Sequence, residues 1–255
     1  MNLELTSKHV IITSGSKGIG LPCARTFLIE GARATLVSRA MENLLAAQSA
    51  LLKETPGGDV NIIAAGLRDA VERDFGAVDV LVNSAGAARR TPADELTAAA
   101  WRDAMQAKFF TYIHVTNPLM KRMGERGHGA VVNVIGSCGK VAAVTHLAGG
   151  AANAALMLAR AGLAAAYAAK GVRVNAVNLG RTFTERLQEG MQAEARQQGV
   201  TVEEAIASAT KSLPLNRFAN PEEIADAVVY LASARASYVT GALLAMDGAF
   251  TPMMV

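Results

Sequence analysis

The sequence predicts an α/β fold, a doubly wound parallel sheet with helices on both faces. Short runs rich in Val and Ile alternate from end to end with longer stretches of helical periodicity, the order that yields parallel strands joined by helical crossovers. The first apolar run ends in a glycine-rich turn, SGSKGIG at 14–20, that opens a helical pattern. No linker, internal repeat or low-complexity tract breaks the alternation, so the 255 residues are expected to form one domain, 1–255.

Each element follows in order. A buried strand is expected at 10–13 and a helix at 18–30, closed by Gly31 because glycine takes the left-handed conformation that ends helices. A strand at 34–38 leads to a helix at 42–53, with Ala46, Ala47, Ala50 and Leu51 on one face. Thr55-Pro56-Gly57-Gly58 forces a turn before a third strand at 60–64, and a fourth follows at 78–82. A long helix at 101–123 precedes a fifth strand at 130–135, which runs out into Gly136, Ser137, Cys138 and Gly139. An Ala-rich helix at 148–169, a strand at 172–177, a helix opened by Pro221 and a last strand at 243–246 complete the pattern. Residues 185–213 are charged and helix-prone, and a mobile substrate lid is expected across 181–213.

Composition excludes several classes. Half the residues are hydrophobic, 51%, which is not the composition of a disordered chain. The least polar stretch, 148–169, is interrupted by Asn153 and Arg160 and reads as a packed helix rather than a bilayer span. The N-terminus lacks the pattern of a signal peptide, and the two cysteines, Cys23 and Cys138, have no metal-type spacing; a cytoplasmic protein without a metal site is expected. A net charge of +3 with no basic stripe gives no reason to expect nucleic acid or membrane as partner. A small-molecule substrate remains.

The turn at 14–20 is the strongest chemical signal. Glycine lets backbone approach a pyrophosphate, and the following helix presents free N–H groups and its positive dipole end. Ser14, Ser16, Lys17, Gly18, Ile19 and Gly20 are the candidates to hold a dinucleotide in a Rossmann fold.

Thr13, Gly18, Ile19 and Gly20 match the Thr-Gly-x-x-x-Gly-x-Gly turn of the short-chain dehydrogenase/reductase family, with Ser14 in place of its first glycine. Asn83-Ser84-Ala85-Gly86 resembles the family's Asn-Asn-Ala-Gly strand end, and Arg173-Val174-Asn175-Ala176-Val177 with Gly180 and Thr184 resembles its segment beyond the sixth strand. Pro214 to Phe218, Pro221 to Ala225, and Tyr238-Val239-Thr240-Gly241 through Asp247-Gly248 extend the resemblance over nearly the whole chain. It implies nicotinamide binding, with Asn83, Ala85, Gly86, Gly180 and Thr184 near the cofactor, and a homodimer or homotetramer. After the second strand stand Ser38 and Arg39 rather than an acid, and with Lys17 they suit a 2′-phosphate, so NADP(H) is preferred over NAD(H). At the third strand end, where the family places an aspartate near the adenine, stand Gly66 and Leu67.

The resemblance also locates four changed positions. Gly136 occupies the family's serine position, Gly149 its tyrosine, Asn153 its lysine and Lys108 its helix asparagine. Three residues could rebuild the chemistry: His146, close to the tyrosine position and titrating near neutrality; Lys108, returning a cation; and Ser137, one residue past the lost serine. A divergent branch of the family is similar in carrying a lysine at the asparagine position. Cys138 reads as a small buried residue rather than a nucleophile, Tyr112 and Tyr167 as packing residues, and Arg89-Arg90 as a solvated pair able to attract an acidic or phosphate-bearing substrate. An NADP(H)-dependent oxidoreductase acting on a carbonyl/alcohol or an activated double bond is therefore expected, against a catalytically silent NADP-binding protein or a non-redox lyase or isomerase on the same fold.

Overall fold

The computed structural model describes residues 2–64, 70–86 and 88–252. Its strands are β1 (His9–Thr13), β2 (Arg33–Ser38), β3 (Val60–Ala64), β4 (Val80–Asn83), β5 (Gly129–Gly136), β6 (Val172–Leu179) and β7 (Leu243–Met246). Its helices are α1 (Gly20–Ile29), α2 (Met41–Glu54), α3 (Ala70–Phe75), α4 (Ala98–Met105), α5 (Thr111–Arg126), α6 (Leu147–Tyr167), α7 (Glu185–Gln198), α8 (Val202–Lys211) and α9 (Pro221–Ala232). The strands form one parallel sheet in the order β3-β2-β1-β4-β5-β6-β7.

Burial of both sheet faces explains the continuous apolar runs. Every residue of β1 and β4 is buried. Successive side chains in a strand point to opposite faces, so Val10 and Ile12 pack with Phe27, Leu36, Leu44 and Val228 of the α1, α2 and α9 side. Ile11 and Leu81 face Val115, Leu119 and Ala164 on the α5 and α6 side. The segment Leu147–Lys170 is long and apolar enough to cross a membrane, yet half of it is buried. Its apolarity is spent on the sheet, with Ala152, Leu156 and Ala164 facing inward.

Helix ends are closed by their own chemistry. Asn220 and Glu223 form a capping box around Pro221, and the carbonyls at the other end of α9 meet Arg173 of β6. Its guanidinium donates to Leu231, Ala232 and Ser233 at 2.7–2.9 Å and to Val239 at 3.3 Å, satisfying carbonyls the helix leaves open.

Four local expectations change. The first helix begins at Gly20 rather than 18, because Gly18 has φ +56° and stands outside helical geometry. The single helix expected at 101–123 is α4 and α5 joined by a π-helical turn, Gln106–Phe110, which shifts Lys108 out of α-helical register. Helix α3, six residues long, is too short to show a periodic signal and was not expected. Residues 185–213 split into α7 and α8, because Gly199 is left-handed and Thr201 starts a new capping box with Glu204. Gly66 and Leu67 lie outside the described residues.

Candidate active site

The strand order reverses between β1 and β4, which opens a crevice at their carboxyl ends. The turn leaving β1 sits at this point. Ser14 adopts φ +57°, a conformation that costs an L-residue about 1–2 kcal/mol and that glycine takes freely. Gly15 lies against β2, its amide reaching the Val37 carbonyl at 3.4 Å. A Cβ on Gly20 would stand 2.4 Å from the Ser14 carbonyl oxygen, so α1 can start only on a glycine here. Ser16 is buried, and Ile19 stands at the N-cap position without a side-chain cap, which leaves the first amides of α1 open. Thr13 pairs in register with Val37, so the turn and the Ser38-Arg39 end of β2 leave the sheet side by side. Arg39 is exposed, and Lys17 lies 3.8 Å from Glu185 at the start of α7. These groups fit a dinucleotide with a 2′-phosphate: a glycine-lined helix N-terminus, with the Ser38 hydroxyl and Arg39 at the end of the second strand and Lys17 in the turn itself.

The end of β4 is pinned from two sides. The Thr13 hydroxyl accepts from the amides of Ser84 and Ala85 at 3.0 and 3.2 Å. The enclosed Asn83 side chain donates to Thr116 and to Asn133 of β5, both at 2.9 Å. Gly86 follows with φ +122°, and a Cβ there would stand 2.4 Å from Cδ of Lys108. The bare glycine is what lets the lysine stem lie across this loop.

Lys108 Nζ reaches the Val134 carbonyl and the Tyr112 hydroxyl, each at 3.3 Å, and stands 5.0 Å from the Tyr112 ring centroid. Burial, followed by the neighbouring Arg186, pushes its pKa down to about 8, against a weaker opposing pull from Cys138. The Tyr112 hydroxyl donates to the Val134 carbonyl at 2.7 Å, and burial pushes its pKa well above the phenol range, so it is no proton donor.

His146 stands one residue before α6, at its N-cap, rather than inside the helix. Its imidazole fills the place a side chain at 149 would take: a Cβ on Gly149 would stand 2.2 Å from its Nε2. Its Nδ1 is buried without a partner among the described residues. Burial first, then Arg90, Arg186 and Lys108, lower its pKa, so the ring is neutral at pH 7. Asn153, 4% exposed, donates to Cys138 Sγ at 3.0 Å, and a Cβ on Gly136 would meet its amide nitrogen at 3.3 Å. Ser137 opens a 3-10 turn, its carbonyl accepting from the amide of Lys140 at 2.8 Å.

The segment 181–213 supplies residues that the sequence did not single out. Arg186, in the first turn of α7, donates to the carbonyls of Gly86 and Ala88 at 3.2 and 2.8 Å. A cation there opposes the helix dipole, and that was the available signal. Thr184 caps α7 by accepting from the Leu187 amide. Gly180 is packed so closely on Asp247 that a Cβ would stand 2.8 Å from it. Thr182, beside them, has a buried hydroxyl oxygen without a partner among the described residues.

A parallel sheet with a glycine-lined helix start at its reversal point defines a Rossmann dinucleotide-binding protein. The chain belongs to the short-chain dehydrogenase/reductase family of oxidoreductases. A family model described as enoyl-(acyl carrier protein) reductase matches residues 14–251. The chain is 34% identical to cis-4-hydroxycyclohexanecarboxylate dehydrogenase of Sinomonas cyclohexanicum, over 98% of this chain and 99% of the relative. It superimposes on L-sorbose reductase of Gluconobacter frateurii, complexed with NADPH and L-sorbose, with a TM-score of 0.93, 27% identity and all of both chains covered. It is also similar to an NADPH-bound short chain oxidoreductase of Pseudomonas aeruginosa PAO1 containing an atypical catalytic center, with a TM-score of 0.88, 28% identity, and 98% and 100% of the chains covered.

The contact between His146 and Gly149 can be tested directly. Gly149→Ala adds a methyl where the ring stands, while alanine favours the helix by up to about 1 kcal/mol. The variant is expected to keep or raise its melting temperature while the His146 pKa, followed by NMR, rises toward its ordinary value as the ring is expelled. A ring that titrates as in the wild type removes this contact from the account.

Proposed function

We propose that the protein is an NADP(H)-dependent oxidoreductase that interconverts a carbonyl and its alcohol at a rebuilt proton-handling site made by Lys108 and His146. The observation that carries this reading is Lys108. It is held at the crevice with a pKa of about 8 and, bonded to Tyr112 and Val134, keeps a third ammonium hydrogen for a substrate oxygen. A pKa near the working pH is what a proton donor needs. The NADPH-bound neighbours, one with L-sorbose, support the same chemistry.

Ser14, Ser16, Gly18, Ile19 and Gly20 would hold the diphosphate, and Lys17, Ser38 and Arg39 the 2′-phosphate. Gly180, Thr182 and Thr184, with Asn153, would face the nicotinamide end, where the unpartnered Thr182 hydroxyl and Asn153 carbonyl oxygens stand. When bound, the nicotinamide supplies or accepts hydride. Lys108 protonates the oxygen formed in reduction, and Ser137 and neutral His146 orient the substrate. Residues 181–213, tied to the β4 loop by Arg186, act as the lid that excludes water. We place the protein in the cytoplasm and expect a homodimer or homotetramer, with exposed Trp101, Phe110 and Leu158 available for the contact. Light scattering should give at least twice the chain mass, and a monomer at micromolar concentration removes the assembly.

Cofactor choice rests on Arg39 and Lys17. Arg39→Asp is expected to weaken NADPH by about 1–3 kcal/mol, the worth of a charge-assisted bond and its loss, and to improve NADH relative to it. Fluorescence titration measures both. Equal affinity of the wild type for the two cofactors would contradict the assignment.

The proton step has its own signature. The charged form of Lys108 is the donor, so kcat/KM for reduction should be flat below about pH 8 and fall as pH rises through it. Lys108→Met should lower kcat by about a hundredfold and abolish that limb, with NADPH affinity nearly unchanged. His146→Ala should lower kcat similarly while the limb near 8 stays. If restoring Gly136→Ser, Gly149→Tyr and Asn153→Lys together creates ketone reduction that the wild type lacks, the protein is a silent NADP-binding member of the family instead.

A further inference from the structure

Part of the protein's cationic side chains are held in ion pairs. Arg25 pairs with Glu54, Arg122 and Arg126 with Glu72, Arg217 with Glu223 and Arg235 with Glu4. Lys108, Arg186 and Arg90 close no ion pair among the described residues, yet all three meet on this one loop. Lys108 lies across Gly86, and Arg186 binds the carbonyls of Gly86 and Ala88. Arg90 is brought beside His146 because the next residue, Thr91, donates its amide to the carbonyl of Thr145 at 3.0 Å. The acid that acts on Arg186 is Glu189, without reaching ion-pair distance, while Arg90 acts on it as a like charge. Of the groups for the cofactor phosphate, Arg39 stands apart just beyond the end of β2, while Lys17 faces Glu185, the residue before Arg186.

Like charges gathered on one loop repel one another, and an anion that joins them relieves the repulsion. Arginine suits a planar carboxylate, and each terminal nitrogen of Arg186 keeps a second hydrogen beyond its carbonyl bond. Arg89, adjacent in sequence, acts on none of these groups, so the structure divides the pair that the sequence presents together.

We propose that the site takes a carbonyl substrate bearing a carboxylate beside the reacting carbon, an oxo acid, with Arg186 and Arg90 binding the carboxylate and Lys108 facing the carbonyl oxygen. This rests on the reductase reading and names its substrate class. The probes are benzoylformate, its methyl ester, and oxamate against oxamide as unreactive analogues, all with the full-length protein loaded with NADPH or NADP+. Benzoylformate should exceed the ester about tenfold or more in kcat/KM, the worth of one charge-assisted bond, and added salt should shrink the ratio. Arg186→Gln and Arg90→Gln should each cut that ratio several-fold, Arg186→Lys should restore part of it, and Arg89→Gln should leave it unchanged.

Calorimetry should show oxamate binding more tightly than oxamide, and more weakly to Arg186→Gln. If the ester is reduced as well as the acid with the Lys108 limb intact, the carboxylate site is wrong and the reductase reading stands. If nothing is reduced but oxamate binds through Arg186, the carboxylate site stands and the reductase reading falls. Oxamate binding no better than oxamide, or more weakly than inorganic phosphate, overturns the inference.

Discussion

The reversal of strand order between β1 and β4 is the constraint on which the rest of the structure depends. Two helical crossovers leave the sheet in opposite directions there, so the carboxyl ends of the central strands are uncovered while their bodies are fully buried. An uncovered edge would expose unsatisfied backbone, and side chains close it. The Thr13 hydroxyl takes the first two amides beyond β4, and the Asn83 amide ties β4 to β5 and α5. A crevice built this way is rigid on its floor and open above, as a site that must position small atoms requires.

On that floor, glycines and functional side chains form complementary pairs. Gly149 has no Cβ, and the His146 ring occupies the space; Gly86 has none, and the Lys108 stem crosses it. The residues at these positions are therefore coupled sterically. A tyrosine at 149 and the observed ring of His146 exclude each other. A free, solvated histidine would titrate near 6.5; burial first, then three nearby cations, lower this one, while Lys108 is the group held near neutral pH.

The same low-dielectric surroundings separate two neighbouring groups. Burial drives Tyr112 up and Lys108 down, which makes the lysine a group that changes charge near neutral pH and the tyrosine an inert phenol. The π-helical turn contributes as well. By inserting an extra residue between α4 and α5 it aims Lys108 at Val134 and Gly86, where a regular helix would rotate it by about 100°.

Alternating apolar runs and helical periods determined the parallel sheet, its helices and the cofactor turn, because parallel strands buried on both faces and a glycine-lined helix start are local requirements that write themselves into residue type. Ser14 shows the limit of that legibility: the sequence shows a departure from glycine, and only the backbone shows that serine still takes the left-handed conformation. Lys108, His146 and Ser137 could be singled out from their positions, but not the protonation of the first two, which is set by burial and by charges far away in sequence. Arg186 lay unmarked in a charged stretch, about a hundred residues from the loop it grips. Position along the chain is written residue by residue; the meeting of Lys108, Arg186, Arg90 and His146 is decided by tertiary structure, because electrostatic fields depend on distance through space and on excluded water.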